Sequence, residues 1–241
     1  MRLKIPAYIL FASHETKRKH QLEFIKKYLP DVQIVDPIFP NHTRVPFLEK
    51  MQILSAQRTG KALLSNEIGV LLSHRRIWQI IKKEGEDNKH YLILESDSKI
   101  HSFQTLEQNW KTVENKYDIF YWGAWTNHVS IKRSTLVSVE IPYKMGEPLI
   151  NSVYGAYGYS INKRAAKYLL SQLTKIKYQV DLYKYYINPL NVRIGAITPE
   201  VIGTWQTTDS TIRYETKLNE LYRIARLKIF SFKNKILAYF C

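Results

Sequence analysis

The feature that most constrains the fold is a long helical stretch that leads into a short apolar strand with carboxylates at its end. Residues 65–84 have continuous helical spacing and stop before Gly85, with Ser65 or Asn66 as the expected cap. Residues 91–94 (YLIL) then form an apolar run of the kind found in strands that are buried on both faces. Because such a strand needs helices on either side of its sheet, this stretch predicts an α/β fold.

Strand and helix patterns alternate along the rest of the chain. Residues 36–64 contain three prolines and are predicted as a loop-rich insertion. Strands separated by helices predict a mostly parallel, Rossmann-type sheet flanked by helices. The other strands are predicted at 7–11, 32–35, 117–122, 156–160 and 192–197, and the other helices at 17–28, 105–114 and 163–173.

Composition limits the class of protein and its location. The 241 residues are enough for a substantial core, and the one cysteine, Cys241, allows no internal disulfide. No apolar run reaches the ~18 residues of a membrane-spanning helix. Because Pro6 interrupts the N-terminal segment too early for a signal peptide, we expect the protein to stay in the cytoplasm.

The chain is strongly basic, with a formal net charge of +15. Such a field attracts nucleic acid, anionic membrane surfaces or phosphorylated small molecules, although it also serves solubility alone. Nucleic acid is disfavoured because lysines and arginines are spread along the chain and no nucleic-acid-binding motif is present.

Polar residues follow three of the predicted strands, where α/β sheets bind ligands. Ser13 follows the first strand, Glu95 and Asp97 follow the strand at 91–94, and residues 123–127 follow the next one. Two carboxylates together with ligand phosphates suit a divalent cation such as Mg²⁺ or Mn²⁺. The alternative is that these acids only form a turn or cap a helix.

A second group of polar residues lies on one flank of the helix at 65–84. Glu67, Ser73, His74 and Arg76 stand beside its apolar face, and Gly69 indicates close packing or close approach of a ligand. The alternative is a solvated flank with an internally hydrogen-bonded histidine.

Several segments resemble glycosyltransferase family 25, the lipopolysaccharide-type galactosyltransferases. The most specific is residues 66–78 (NEIGVLLSHRRIW), and the resemblance spans about residues 5–212. Three further segments agree with the family pattern: LILESD at 92–97, GAYGYS at 155–160 with AAKYLL at 165–170, and Val180-Asp181.

This resemblance implies a GT-A fold and inverting transfer of a hexose, usually galactose, from a UDP-sugar to a lipooligosaccharide or related glycan. It implies that Glu95 and Asp97 hold Mn²⁺ or Mg²⁺ and that Asp181 or Asp209 is the catalytic base. Asp181 is alternatively the N-cap of a helix at 182–186. The residues expected to contact the nucleotide-sugar are Ser13, Arg18, Glu67, Ser73, His74, Arg76 and Ser96.

One position departs from the family pattern. Ser96 stands where the family usually carries an aspartate. If that aspartate is an essential metal ligand, the protein is instead a catalytically weakened relative that binds a glycan or a nucleotide.

Aromatic residues near the strand ends suggest where the acceptor binds. A ring face suits the apolar face of a sugar, and tyrosine and tryptophan also offer polar groups. Trp125 and Tyr154 are the preferred acceptor contacts, and core packing is the alternative for many of the neighbouring rings.

Residues 217–241 differ in character from the transferase domain predicted at 1–216. They alternate bulky apolar residues with lysine and arginine, which is typical of a basic amphipathic helix at a membrane surface. We therefore expect a peripheral protein on the inner face of the cytoplasmic membrane, acting on a lipid-linked acceptor. The alternative is a terminal helix that packs on the domain or on a second copy of the chain.

Overall fold

The computed structural model describes residues 4–124, 129–174, 176–205, 232–234 and 236–239. Strands and helices alternate through most of this range. The strands are β1 (Ala7–Leu10), β2 (Gln33–Val35), β3 (Tyr91–Glu95), β4 (Ser98–Ile100), β5 (Ile119–Tyr121), β6 (Val137–Glu140), β7 (Tyr143–Gly146), β8 (Gly158–Ile161), β9 (Ile194–Thr198) and β10 (Ile202–Thr204). The helices are α1 (Lys19–Tyr28), α2 (Leu48–Thr59), α3 (Ser65–Glu84), α4 (Phe103–Lys116) and α5 (Lys163–Gln172).

The core lies in two layers on opposite faces of one sheet. In β3, Ile93 packs into the layer beneath α3 and α5, whereas Leu92 and Leu94 pack into the layer beneath α1 and α4. Successive side chains of a strand point to opposite faces, so both faces of β3 are covered and the strand carries no polar residue before its end. The α/β class is confirmed.

The large sheet is mixed. Its order is β2-β1-β3-β8-β5-β9-β7-β6. β1 is parallel to β2 and β3, and β5 is parallel to β9, but β8 is antiparallel to both β3 and β5. The hairpin of β6 and β7 adds further antiparallel pairs at one edge. The expected mostly parallel sheet is therefore found only in part, because β8 and β7 reverse direction.

The structure contains more regular elements than the sequence predicts. The segment 36–64, predicted as loop-rich, contains α2, and no strand was predicted at the positions of β4, β6, β7 and β10. Only Ser55 of α2 is buried, so the helix has no apolar stripe from which it could be recognised.

The C-terminal segment lies largely outside the described residues. Residues 232–234 and 236–239 are helical, with Asn234 and Ala238 buried and Phe232 exposed. The Arg133 guanidinium lies 4.3 Å from the ring centroid of Tyr239, so the end of the chain contacts the domain. Membrane attachment of this segment stays a prediction. Within the described residues, no helix is long and apolar enough to cross a membrane.

A buried carboxylate joins three strands at the edge opposite the carboxyl ends of β3 and β5. The Asp118 carboxylate, 1% exposed, accepts hydrogen bonds from the Arg193 backbone N–H (2.9 Å) and Nη2 (3.1 Å), and from Asn162 Nδ2 (2.9 Å). These groups immediately flank β5, β9 and β8. Although burial opposes ionisation, the Arg193 and Asn162 hydrogen bonds hold the pKa of Asp118 below its usual value.

We expect Asp118→Ala to lower the free energy of unfolding by about 2 kcal/mol, because it removes the acceptor of the buried Asn162 amide and of the Arg193 backbone N–H. Chemical denaturation at pH 7 measures this change. The difference from wild type should shrink as the pH falls through the folded pKa of Asp118, where the wild-type pair is also lost. Asp87→Ala is the control, because the Asp87 side chain is 81% exposed.

Candidate functional site

The strand order brings the loops after β1 and β3 together. From β1 the chain passes to β2 on one side and later to β3 on the other, and Leu10 at the end of β1 pairs with Glu95 at the end of β3. Ligands bind at such reversals of strand order, outside the carboxyl ends of the strands. The antiparallel β8 begins at this same edge, with Gly158 opposite Leu94.

Two residues that follow β1, Glu15 and Arg18, form a charged network with Ser96, which follows β3. Arg18 Nη1 donates to Ser96 Oγ at 2.5 Å and lies 3.2 Å from Glu15 Oε1. The Ser96 hydroxyl in turn donates to Glu15 Oε1 at 3.2 Å. Sequence reasoning missed Glu15, because a lone glutamate in a loop has no pattern that marks it. The predicted Ser13 is exposed in the same loop.

Asp97 lies beside this network at the end of β3. Its Oδ1 atom is buried and has no hydrogen-bond partner in the described part of the chain. Burial, reinforced by the negative charge of Glu95, raises the pKa of Asp97 to about 6, although Arg18 opposes the change. The Asp97 carboxylate is therefore placed in a site that favours an added positive charge.

His74 contacts the Glu95 carboxylate from the side of the core. The His74 ring is fully buried, with Nε2 3.2 Å from Glu95 Oε1 and Nδ1 2.8 Å from the Tyr159 hydroxyl. Trp78 Nε1 donates to the same hydroxyl at 2.8 Å. His74 was predicted as a nucleotide-sugar contact, and the structure places it beneath Glu95 with both ring nitrogens engaged inside the protein.

Asp181 lies close enough to Glu95 and Glu67 to interact with them electrostatically. Burial, together with the negative charges of Glu95 and Glu67, raises the pKa of Asp181 to about 6, and His74 opposes the change. Asp181 is not a helix cap here, because the following turn of 3-10 helix, Tyr183–Tyr185, is preceded by Leu182. We refer to Glu95, Asp97 and Asp181 as the carboxylate cluster.

The first turn of α3 is capped by Glu67 rather than by Ser65 or Asn66. Leu64 precedes the helix, and its backbone N–H donates to Glu67 Oε2 at 2.8 Å. Gln179 Nε2 donates to the other carboxylate oxygen of Glu67, which ties the segment carrying Asp181 to α3. Sequence reasoning missed Gln179, which lies 112 residues from its partner.

Ser73 and Arg76 hold the loop that follows β2. Ser73 Oγ accepts from the Ile38 N–H at 2.7 Å, and Arg76 Nη1 donates to the Asp36 carbonyl at 3.0 Å. A Cβ atom on Gly69 would lie 2.4 Å from the Ile38 carbonyl oxygen, so the glycine is required by close packing. Arg76 is exposed, whereas Ser73 is buried.

The predicted acceptor contacts are only partly described. Tyr154 lies beside the segment that carries Asp181, since Lys184 Nζ is 3.2 Å from its hydroxyl. Trp125, and with it the rival base Asp209, lies outside the described residues. Tyr121 and Trp122 are fully buried in the core and therefore cannot face a sugar.

The donor atoms at the end of β3 suit a hard divalent cation. Among the described residues, no group of three or more His, Cys, Asp and Glu side chains is arranged to hold a metal ion. Mg²⁺, however, is commonly bound by one or two carboxylates together with the phosphates of its substrate. Glu95 and the unpartnered Asp97 Oδ1 fit that kind of site.

Comparison with known families decides the assignment. The model of glycosyltransferase family 25, described as an LPS biosynthesis protein, matches residues 6–184, which is most of the chain. The chain belongs to glycosyltransferase family 25. The family match includes every member of the carboxylate cluster, and no match to a curated protein was found. This family 25 member is a glycosyltransferase of lipopolysaccharide biosynthesis, and it binds a sugar donor and a glycan acceptor.

In this glycosyltransferase, Asp181 is expected to destabilise the fold at neutral pH. Its folded pKa of about 6 exceeds that of an unfolded aspartate, so wild-type stability falls as the pH rises from about 4 to above 6. We expect Asp181→Asn to raise the free energy of unfolding at pH 7.5 by about 1 kcal/mol, with no gain at pH 4. Denaturant titrations at the two pH values measure this. An equal gain at both values would contradict it.

Proposed function

We propose that this family 25 glycosyltransferase transfers a hexose, with galactose the first candidate, from a UDP-sugar to a lipooligosaccharide acceptor with inversion at the anomeric carbon. The observation that carries the proposal is the carboxylate cluster. Glu95 interacts electrostatically with both Asp97 and Asp181, whose pKa values are each raised to about 6. Neighbouring carboxylates with raised pKa values are typical of sites that bind a cation and transfer a proton.

Glu95 and Asp97 would hold Mn²⁺ or Mg²⁺. When bound, the cation would neutralise charge on the departing diphosphate. Arg18, which lies beside Ser96, would add a positive charge on the same side of the site. The contacts of Ser96 support this assignment. Its hydroxyl is hydrogen-bonded to Arg18 and Glu15, so the cation would be bound by the carboxylates of Glu95 and Asp97.

Asp181 would act as the general base. The oxygen of the acceptor hydroxyl attacks the anomeric carbon, the bond from that carbon to the diphosphate oxygen breaks, and the hydroxyl proton passes to the Asp181 carboxylate. A pKa of about 6 leaves this group ionised at pH 7.5 yet basic enough to accept a proton. The proximity of Tyr154 to Lys184 supports an acceptor-binding surface on the same side.

The acceptor would be presented at a membrane. Residues 217–241 are proposed as a basic amphipathic anchor on the inner face of the cytoplasmic membrane, supported by the exposed Phe232, Ile236 and Leu237. Deleting residues 217–241 should release the protein from anionic vesicles in a flotation assay. Undiminished vesicle binding by the truncated protein would contradict the anchor.

A donor screen tests the proposed function. The purified protein is mixed with each of a panel of UDP-sugars and a lipooligosaccharide acceptor, with and without Mn²⁺, and UDP release is measured. We expect metal-dependent release, fastest with UDP-galactose, and a product whose anomeric configuration, read by NMR, is inverted. Thermal protection by donors without any turnover would instead favour the catalytically weakened binding protein.

A further inference from the structure

A series of hydrogen bonds runs from the core to the carboxylate cluster. Trp78 Nε1 lies 2.8 Å from the Tyr159 hydroxyl, that hydroxyl lies 2.8 Å from His74 Nδ1, and His74 Nε2 lies 3.2 Å from Glu95 Oε1. Trp78, Tyr159 and His74 are fully buried. We call these four side chains the buried hydrogen-bond chain.

The chemistry of the groups fixes the direction of this chain. An indole N–H can only donate, so the Tyr159 oxygen accepts from Trp78. The tyrosine keeps its own proton, since burial raises the pKa of Tyr159 well above its usual value. Among the described residues, His74 Nδ1 is the acceptor within reach of that proton.

The tautomer of His74 follows from this direction. When Nδ1 accepts from Tyr159, the ring hydrogen of neutral His74 lies on Nε2 and is donated to Glu95 Oε1. The opposite tautomer, or a ring protonated on both nitrogens, would leave the buried Tyr159 hydroxyl hydrogen without an acceptor among the described residues. The opposite tautomer would also set the Nε2 lone pair against a carboxylate oxygen. An unmade buried hydrogen bond is costly, and this favours the first arrangement.

We propose that His74 is a positioning residue, which Tyr159 and Trp78 hold as the Nε2–H tautomer so that it fixes the orientation of the Glu95 carboxylate. The consequence for metal binding rests on the proposed function. His74 engages Glu95 Oε1, and among the described residues no hydrogen bond to the other carboxylate oxygen is seen, so that oxygen would bind the cation. Hydrogen bonds to a metal ligand fix its orientation, and their loss typically costs about 10–100-fold in affinity or activity.

Nitrogen NMR of the full chain labelled at histidine tests the tautomer directly. The protein has seven histidines, and the signals missing from His74→Gln assign those of His74. We expect wild-type His74 to carry its hydrogen on Nε2, and Tyr159→Phe to give a mixture of tautomers. A wild-type His74 ring protonated on Nδ1 would overturn the proposal, whether or not the protein transfers sugar.

Tyr121→Phe is the matched control. Its hydroxyl is also buried and has no hydrogen-bond partner among the described residues, and its ring centroid lies 6.5 Å from that of Tyr159. Removing this hydroxyl takes the same atom from the same part of the core but leaves the buried hydrogen-bond chain intact. We therefore expect the His74 signals of Tyr121→Phe to match those of wild type.

Mn²⁺ binding, followed by electron paramagnetic resonance in the presence of UDP, tests the consequence for Glu95. We expect Tyr159→Phe to weaken Mn²⁺ binding about tenfold and Tyr121→Phe to leave it unchanged. His74→Gln should keep more affinity than His74→Phe, because its amide can still donate to Glu95. Equal Mn²⁺ affinity in Tyr159→Phe and Tyr121→Phe would overturn the positioning role.

Discussion

Asp181→Asn is expected to lower kcat for sugar transfer by about 10²–10⁴-fold while leaving the KM for the donor nearly unchanged. The variant keeps the size of the side chain but cannot accept a proton from the acceptor hydroxyl. Steady-state UDP release with saturating Mn²⁺ measures both constants. Because Asp181 has a pKa of about 6 in the protein without substrate, wild-type kcat/KM should also rise with pH through about 6.

Asp87→Asn is the control for this loss. Asp87 is exposed, with Lys163 Nζ 3.9 Å away, so its variant should keep wild-type kcat. Combined with the expected gain in stability, the result would separate a catalytic defect from a folding defect, since Asp181→Asn should be more stable yet far less active. Wild-type kcat in Asp181→Asn would contradict its role as base and direct attention to Asp209.

Asp97→Asn is expected to remove most Mn²⁺-dependent activity, with a loss of about 10²–10³-fold in kcat/KM. An amide brings no negative charge to the cation, and Glu95 then remains as the single carboxylate ligand at the end of β3. Added Mn²⁺ should recover only part of the rate. UDP release over a range of Mn²⁺ concentrations measures this effect.

Ser96→Ala separates the metal site from the neighbouring charged network. It removes the hydrogen bonds of Ser96 with Arg18 and Glu15 but leaves both Glu95 and Asp97. We expect its Mn²⁺ dependence to match that of wild type, with an effect confined to the donor KM. Mn²⁺ stimulation of Asp97→Asn equal to that of the wild type would show that the cation binds elsewhere.

Local sequence patterns were sufficient for the elements with a clear signal. The helix at 65–84 has the predicted bounds because a 20-residue amphipathic pattern ends at Gly85. The strand at 91–94 was recognisable because its apolar run is unbroken, and it extends by one residue to Glu95. α2 was missed because it buries almost nothing, so the period of an apolar stripe is absent.

The acidic residues of the candidate site were predictable from the sequence, but the residues that contact them were not. Glu95 and Asp97 follow an apolar strand, which is a local signal, and the family resemblance singled out Asp181. Glu15 and Gln179 had no such signal. Their partners Ser96 and Glu67 lie 81 and 112 residues away along the chain, and only folding brings each pair together.

Residue patterns alone were enough to predict the α/β class, the helix and strand that carry the site, and membership of the family. These depend on residue spacing within single elements, which can be read along the chain. The antiparallel course of β8 beside β3 and the position of His74 beneath Glu95 became visible only in the folded protein. The position of His74 depends on the placement of β8, because Tyr159 of β8 supplies the hydroxyl that His74 contacts. Which strand lies beside which depends on packing between distant segments, and no local spacing encodes it.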